Sequence, residues 1–251
     1  MVQSVTRSLL LLDALSKSHK KCSLAELCEI TALAPSTVHR LLLALKESRF
    51  VAQDSSSSKY YLGPALIILG IRASNYLNLR ELARPVLTSL AATSKEDAYL
   101  SLIDGDNAIM AESAYGPQPL KVIYPLTVPI PLHSGAARKV LLAYQDPAFI
   151  ENYLHKKLSK YTNNTTTDAN KLRQQLEEIR EKGYSLTLGE SLNGALGICS
   201  PVFDSFGNIV AGLGISCPTL RIKKEDYPAL IELVKQHAKQ LSSDLGYADA
   251  K

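Results

Sequence analysis

Ser23-Leu24-Ala25-Glu26-Leu27, followed by Pro35-Ser36-Thr37-Val38-His39-Arg40-Leu41-Leu42, decides the fold of the N-terminal part of this chain. The spacing reads as two short helices joined by a tight turn. Ser23 and Glu26 stand at capping-box distance, where a serine oxygen and a carboxylate each satisfy an orphan amide of the first turn. Pro35 suits the first turn of the second helix, because its missing N–H leaves no bond unmade there. Val38, Leu41, Leu42 and Leu45 recur at helical spacing and form one apolar stripe, so Ser36, Arg40, Leu43 and Glu47 face the other way. Hydroxyls near a helix N-terminus can grip phosphates, and an arginine on the exposed face can fork onto guanine in the major groove. Ser23, Pro35, Ser36, Thr37, His39, Arg40 and Leu43 are therefore candidate DNA contacts. Helix pairs of this kind also occur in proteins that never touch DNA, so the flanking sequence has to weigh in.

It does so on both sides. Phe50 to Gln53 and Lys59 to Gly63 are strand-prone and flank the polar run Asp54-Ser55-Ser56-Ser57-Ser58, which predicts a hairpin placed as a wing. Lys59 and the serine hydroxyls, Ser57 among them, could donate to phosphates beside the groove. Upstream, Ser4 to Ser16 carries Val5, Leu9, Leu12 and Leu15, the expected packing face of a supporting helix. Three helices and a hairpin in this order predict a winged helix-turn-helix over residues 1–64.

The chain of 251 residues has room for a second domain. Its net charge is +4, and residues 1–66 hold eight Lys or Arg against five Asp or Glu, so most of the surplus lies where DNA would bind. Leu9 to Leu12 is too short a run for a secretory signal and Asp13 ends it. No segment approaches the roughly 20 apolar residues of a membrane-spanning helix. Cys22, Cys28, Cys199 and Cys217 lack metal-like spacing, which fits a cytoplasmic protein with reduced thiols and no metal or cofactor.

The domain boundary falls near Gly63-Pro64. Residues 65–80 begin with an apolar run, Ala65 to Ile71, read as a linker helix that buries a face on the winged domain or on a second copy of the chain. A paired helix-turn-helix would read two half-sites through a two-fold axis. Residues 81–251 predict hairpins over Asp97 to Ser113 and Ile198 to Ser216, with helices at Leu82 to Ser94, Gly135 to Tyr144, Thr167 to Gly183 and Lys224 to Leu245. That alternation is an α+β fold with helices packed on an antiparallel sheet.

Two stretches of the second domain carry possible binding chemistry. Pro129 to Lys139 is a loop of small residues opening a helix, where Ser134, Gly135 and Ala136 could aim amides and a hydroxyl at an anion. His133, Arg138 and Lys139 could add positive charge, with Arg138 expected to point outward to water. The alternative is that Ser134 merely caps the helix. Thr187 to Gly197 reads as a glycine-rich loop beside the sheet, so Thr187, Leu196 and Gly197, with Ser216 on the last strand, could line a small-ligand pocket. No catalytic motif is present: there is no nucleophile elbow, no zinc-type His pair and no phosphate loop, and the five histidines are scattered. A second class of function is an enzyme or thiol sensor using Cys199 and Cys217 on neighbouring strands.

The chain resembles IclR-type transcriptional regulators along nearly its whole length. The resemblance rests on Ser36 to Leu42, Tyr61-Leu62-Gly63, Pro131-Leu132-His133, Lys139 with Leu141-Leu142-Ala143, Ile179-Arg180 with Gly183-Tyr184, and Pro201-Val202-Phe203 with Gly207. It implies an N-terminal winged helix-turn-helix, a linker helix and a C-terminal GAF-like α+β effector-binding domain. It also implies dimers that pair further into tetramers, promoter DNA as partner, and an organic acid as effector. The expected protein is a repressor whose operator binding a small anionic metabolite modulates. Three positions depart from the usual pattern. Ala32 stands where a turn glycine is usual, Pro35 lies one position late, and Arg138 replaces a glycine.

Overall fold

The computed structural model describes residues 3–18, 20–69, 79–122 and 129–248. The chain divides into two compact units, residues 1–77 and 78–251.

In the first unit α1 (Gln3–Ser18), α2 (Leu24–Thr31) and α3 (Pro35–Glu47) precede a two-stranded sheet of β1 (Val51–Gln53) and β2 (Tyr60–Leu62). The capping box at Ser23 forms in full. Ser23 Oγ accepts the Glu26 amide at 3.2 Å, and Glu26 Oε2 accepts the Ser23 amide at 2.7 Å. Ala32 ends α2 in the left-handed region with φ 53°, which aims the chain into α3. Val38, Leu41 and Leu42 are buried against Leu27, Leu11 and Leu15. Pairing between Cys22 and Tyr60 ties the chain ahead of α2 to the wing, a link that the sequence reading did not contain.

The packing face of α1 differs from the expected one. Leu11, Ala14 and Leu15 are buried, whereas Val5 and Leu9 are 57% and 60% exposed. Leu9 to Leu12 is an unbroken leucine run, so periodicity could not select its inner face; packing against α2 and α3 selects it. Residues 65–69 are helical. Residues 70–78 of the expected linker helix lie outside the described ones.

The second unit is a six-stranded antiparallel sheet in the order β5-β4-β3-β8-β7-β6. Its strands are β3 (Asp97–Asp104), β4 (Asn107–Ala114), β5 (Ile130–Pro131), β6 (Ser185–Leu188), β7 (Ala195–Phe203) and β8 (Ile209–Pro218). Helices α4 (Leu79–Ser94) and α8 (Tyr227–Asp244) cover one face. Helices α5 (Ala136–Ala143), α6 (Pro147–Leu154) and α7 (Ala169–Lys182) cover the other. Two apolar cores result, with β3, β7 and β8 contributing side chains to both, as strands buried on two faces do.

Three elements differ from the sequence reading. Helix α6 lacks a counterpart there, although Asp146 caps it through the Ala148 amide at 2.8 Å and Pro147 opens it. Ile130–Pro131 and Ser185–Leu188 are strands, not loops. Thr187 and Gly197 are consequently paired on β6 and β7, and the true loop is residues 189–194. Two to four residues of strand carry too little alternation to be recognised without the neighbour they pair with.

Candidate functional site

Two surfaces hold the expected functional residues. On α3, Ser36, His39, Arg40 and Leu43 are exposed along one side and Thr37 is half-buried. Arg40 makes no side-chain hydrogen bond or ion pair among the described residues. Pro35 opens the helix, with Ala34 as the capping position. Lys46 donates to Gln53 of β1 at 2.9 Å, fastening the end of α3 to the wing. At the wing tip, Asp54 Oδ1 accepts the Ser56 and Ser57 hydroxyls at 2.6 and 2.9 Å and both of their amides. The Ser57 hydroxyl, expected to serve a phosphate, thus donates to Asp54 instead. Lys21 also pairs with Asp54. Together these bonds hold the Asp54 carboxyl well below its ordinary value, with Lys21 the largest cause. Lys59 is half-buried beside the tip.

In the second unit, Gly135, Ala136, Thr187, Leu196, Gly197 and Ser216 line one cavity of about 40 Å³ between the start of α5 and the sheet. Thr187, Gly197 and Ser216 lie side by side across β6, β7 and β8. Gly197 lets α5 approach: a Cβ there would lie 3.3 Å from Ala136 Cβ. Gly135 has φ 92°, and a Cβ on it would meet Ser191 Oγ at 2.7 Å and Arg138 Nη2 at 2.8 Å. The amides of Ala136 and Ala137, orphaned at a helix start, find no acceptor among the described residues. Tyr99, Ser101, Met110 and Ile130 complete the walls from β3, β4 and β5. Sequence reasoning missed them, although Ser101 had a signal as a polar residue inside an apolar strand.

Behind the helix start lies a buried ion pair. Lys139 is 2% exposed, and its Nζ donates to Glu190 Oε1 at 2.5 Å and to Gln175 Oε1 at 2.8 Å. Glu190 Oε2 accepts the Gly135 amide at 3.1 Å, so a carboxylate of the chain itself already occupies that donor. Burial pulls the Lys139 pKa down and Glu190 opposes the shift. Ser134 does not cap α5. Its hydroxyl donates to the Glu190 carbonyl at 3.1 Å, and it is wholly buried behind the cavity wall.

Arg138 does not point outward either. It folds back over its own helix start, with Nε donating to the Ser134 carbonyl and Nη2 to Ser191 Oγ at 2.8 Å, and it lines the cavity. His133 supplies no charge. Its Nε2 donates to the Ser159 carbonyl at 2.8 Å, and its Nδ1 accepts the Tyr153 hydroxyl at 3.0 Å. Burial lowers its pKa and keeps the ring neutral.

The thiol reading fails on register. Cys199 pairs with Gly214 and Cys217 with Leu196, so the two cysteines alternate to opposite faces and join different cores. Burial raises both thiols, Cys217 to about 12, which removes the reactive thiolate. Among the described residues no group of His, Cys, Asp and Glu could hold a metal ion, and no helix is long and apolar enough to cross a membrane.

Residues 71–243 match the family described as bacterial transcriptional regulator IclR C-terminal, and residues 4–55 match the IclR helix-turn-helix domain. The chain belongs to the IclR family of transcriptional regulators. The DNA-binding transcriptional repressor YiaJ of Escherichia coli is 30% identical over 252 residues, covering 98% of this chain and 88% of that protein. HmgR of Pseudomonas aeruginosa shares the fold at TM-score 0.87 and 24% identity over all of both chains. An IclR homologue from Microbacterium hydrocarbonoxydans, crystallised with 4-hydroxybenzoate, does so at TM-score 0.62 and 22% identity over 96% of this chain and 98% of that one. As an IclR regulator the chain is a DNA-binding protein with an effector domain, not an enzyme.

Proposed function

We propose that this IclR regulator is a cytoplasmic repressor that binds promoter DNA as a homodimer, and that a small anionic metabolite in the C-terminal cavity changes its operator affinity. The reading is carried by one observation. Six residues drawn from separate stretches of sequence, at the start of α5 and on β6, β7 and β8, meet around one cavity beside helix amides that find no acceptor among the described residues. Such amides, with the helix dipole behind them, favour an anion. The ligand of the Microbacterium homologue is a carboxylic acid, the same chemistry. The 30% identical relative is a repressor by name.

DNA contact falls to Ser36, Thr37, His39 and Arg40 on α3, with Ser23 and Lys59 against the backbone. Pairing of two copies falls to the N-terminal unit, where Val5 and Leu9 of α1 and Ile67, Ile68 and Leu69 leave apolar side chains exposed. A two-fold pair would present its recognition helices to half-sites about 34–36 Å apart, one turn of DNA. Ligand binding regulates only by favouring one arrangement of that pair over another.

Footprinting on the native promoter, with and without a panel of organic acids, tests the reading. A dyad-symmetric footprint that weakens with one acid is the expected result. Replacing Ser216→Leu should fill the cavity and abolish the response while the footprint remains. Ser216 suits this purpose better than Gly197, where even one added carbon is tight. A response that survives in the folded variant places the effector elsewhere.

A further inference from the structure

We infer that the cleft between α7 and β6 is a second ligand site and that it takes a neutral sugar or cyclic polyol. Thr187 and Glu190 line both this cleft and the smaller cavity at the start of α5. The inference stands whether or not that cavity takes the effector. Size comes first. The cleft holds about 210 Å³, above the roughly 150 Å³ of a void that takes up benzene. A substituted six-membered ring fits there.

Charge decides against an ion. Apart from Tyr184, the ionisable groups in the walls form two acid–base pairs. Lys139 Nζ donates to Glu190 at 2.5 Å, and Lys182 Nζ donates to Glu178 at 2.9 Å. Each pair is balanced internally, so a charged ligand would leave water without a counter-charge, which is costly.

The uncommitted groups are polar and of both kinds. Ser185 is 4% exposed, yet its hydroxyl, like those of Tyr184 and Thr187, makes no hydrogen bond among the described residues. Gln175 Oε1 accepts Lys139 at 2.8 Å, which leaves Nε2 as a further donor. Strand register adds a backbone pair. The Gly189 amide donates to the Ala195 carbonyl at 2.7 Å, so the bonded pairs continue at Thr187 and Ser185, and Leu186 turns its N–H and C=O to the outer edge. Among the described residues no strand meets that edge of β6. Asn164 Nδ2 donates to the Leu188 carbonyl on the same edge at 3.1 Å, which obstructs an added strand and leaves the Leu186 groups to a small molecule. An apolar ligand would strip water from these donors and acceptors and return no bonds. Ring hydroxyls both donate and accept, and the C–H face of a ring suits Ile179 in the wall.

NMR titration of the full-length protein with two matched pairs tests the inference. myo-Inositol and cyclohexanol share a six-carbon ring and differ in hydroxyls; glucose and glucuronate share a sugar ring and differ in charge. Wild type should bind both neutral polyols, each more tightly than its mate. A polyol that does not bind, or a mate that equals its polyol, overturns the inference. Ser185→Ala and Tyr184→Phe each remove one hydroxyl and should weaken polyol binding about three- to tenfold, with thermal melts confirming the fold. Either variant alone reports on the cleft, and undiminished binding by every folded variant overturns the inference. Ser216→Leu separates this site from the effector cavity and should keep polyol binding. If it loses polyol binding, the polyol sits in the smaller cavity and the second site falls. An acid response that survives Ser216→Leu overturns the effector reading alone.

Discussion

On α3, Ser36, His39 and Arg40 stand in water with no side-chain partner among the described residues. At the cavity the polar groups are largely committed to one another: Lys139 to Glu190 and Gln175, Glu190 to Gly135, Ser134 and Arg138 to the loop at residues 190–191. The first region is a surface whose unused donors await a partner. The second is a frame whose internal bonds hold a few donors and hydroxyls open around a small space. A surface of the first kind tolerates substitution without loss of fold, whereas a substitution in the second removes bonds that hold the fold together. That difference makes distinct demands on mutations in each region.

The largest effect is expected from the frame. Lys139→Met leaves Glu190 buried without its counter-charge, and a broken buried pair costs about 3–5 kcal/mol. Denaturant unfolding should register this loss in the second unit, and a double variant that also changes Glu190→Leu should recover much of it. Equal stability of wild type and Lys139→Met would show that the pair does not hold the helix start.

Next is the exposed surface. Arg40→Ala should leave the melting temperature unchanged and weaken operator binding by about 1–3 kcal/mol at matched salt if Arg40 reads a base. An intact affinity for a mapped operator would remove Arg40 from the interface. A fall in thermal stability would erase the contrast between the two regions.

A smaller effect is expected at the turn that sets α3 against α2. Ala32 has φ 53°, and a left-handed residue with a Cβ costs about 1–2 kcal/mol relative to its relaxed form. Ala32→Gly should therefore stabilise the first unit by up to about 1 kcal/mol after the added flexibility of glycine in the unfolded chain is offset. Thermal melts check this.

The smallest effect is a pH slope at the frame. His133 is neutral in the folded protein because burial lowers its pKa from 6.5. Below pH 6.5 the unfolded chain takes up a proton that the folded chain does not, so stability falls as pH drops from there toward the lowered folded value. Unfolding free energies measured across that window should show the slope in wild type and lack it in His133→Gln.

The sequence by itself determined what short-range geometry controls. A capping box needs only Ser23 and Glu26 three residues apart, and the stripe Val38-Leu41-Leu42 needs only the helical repeat, so α2, α3 and the exposed side of α3 were legible. The hairpins around Gly105 and Gly207 were legible for the same reason. The helix start at Gly135 and the residues facing it across β6, β7 and β8 could be nominated, because small residues and hydroxyls stand out in otherwise apolar segments. Tertiary structure decided the rest. Only packing chose Leu11 over Leu9 as the inner residue of α1, since a leucine run has no polar side to break the symmetry. Only strand register sent Cys199 and Cys217 to opposite faces. Lys139 and Glu190 lie 51 positions apart in sequence, and no periodicity relates them. Closing that loop brings a carboxylate onto the start of α5, takes Ser134 away from capping and places Ser191 where Arg138 can turn inward to meet it.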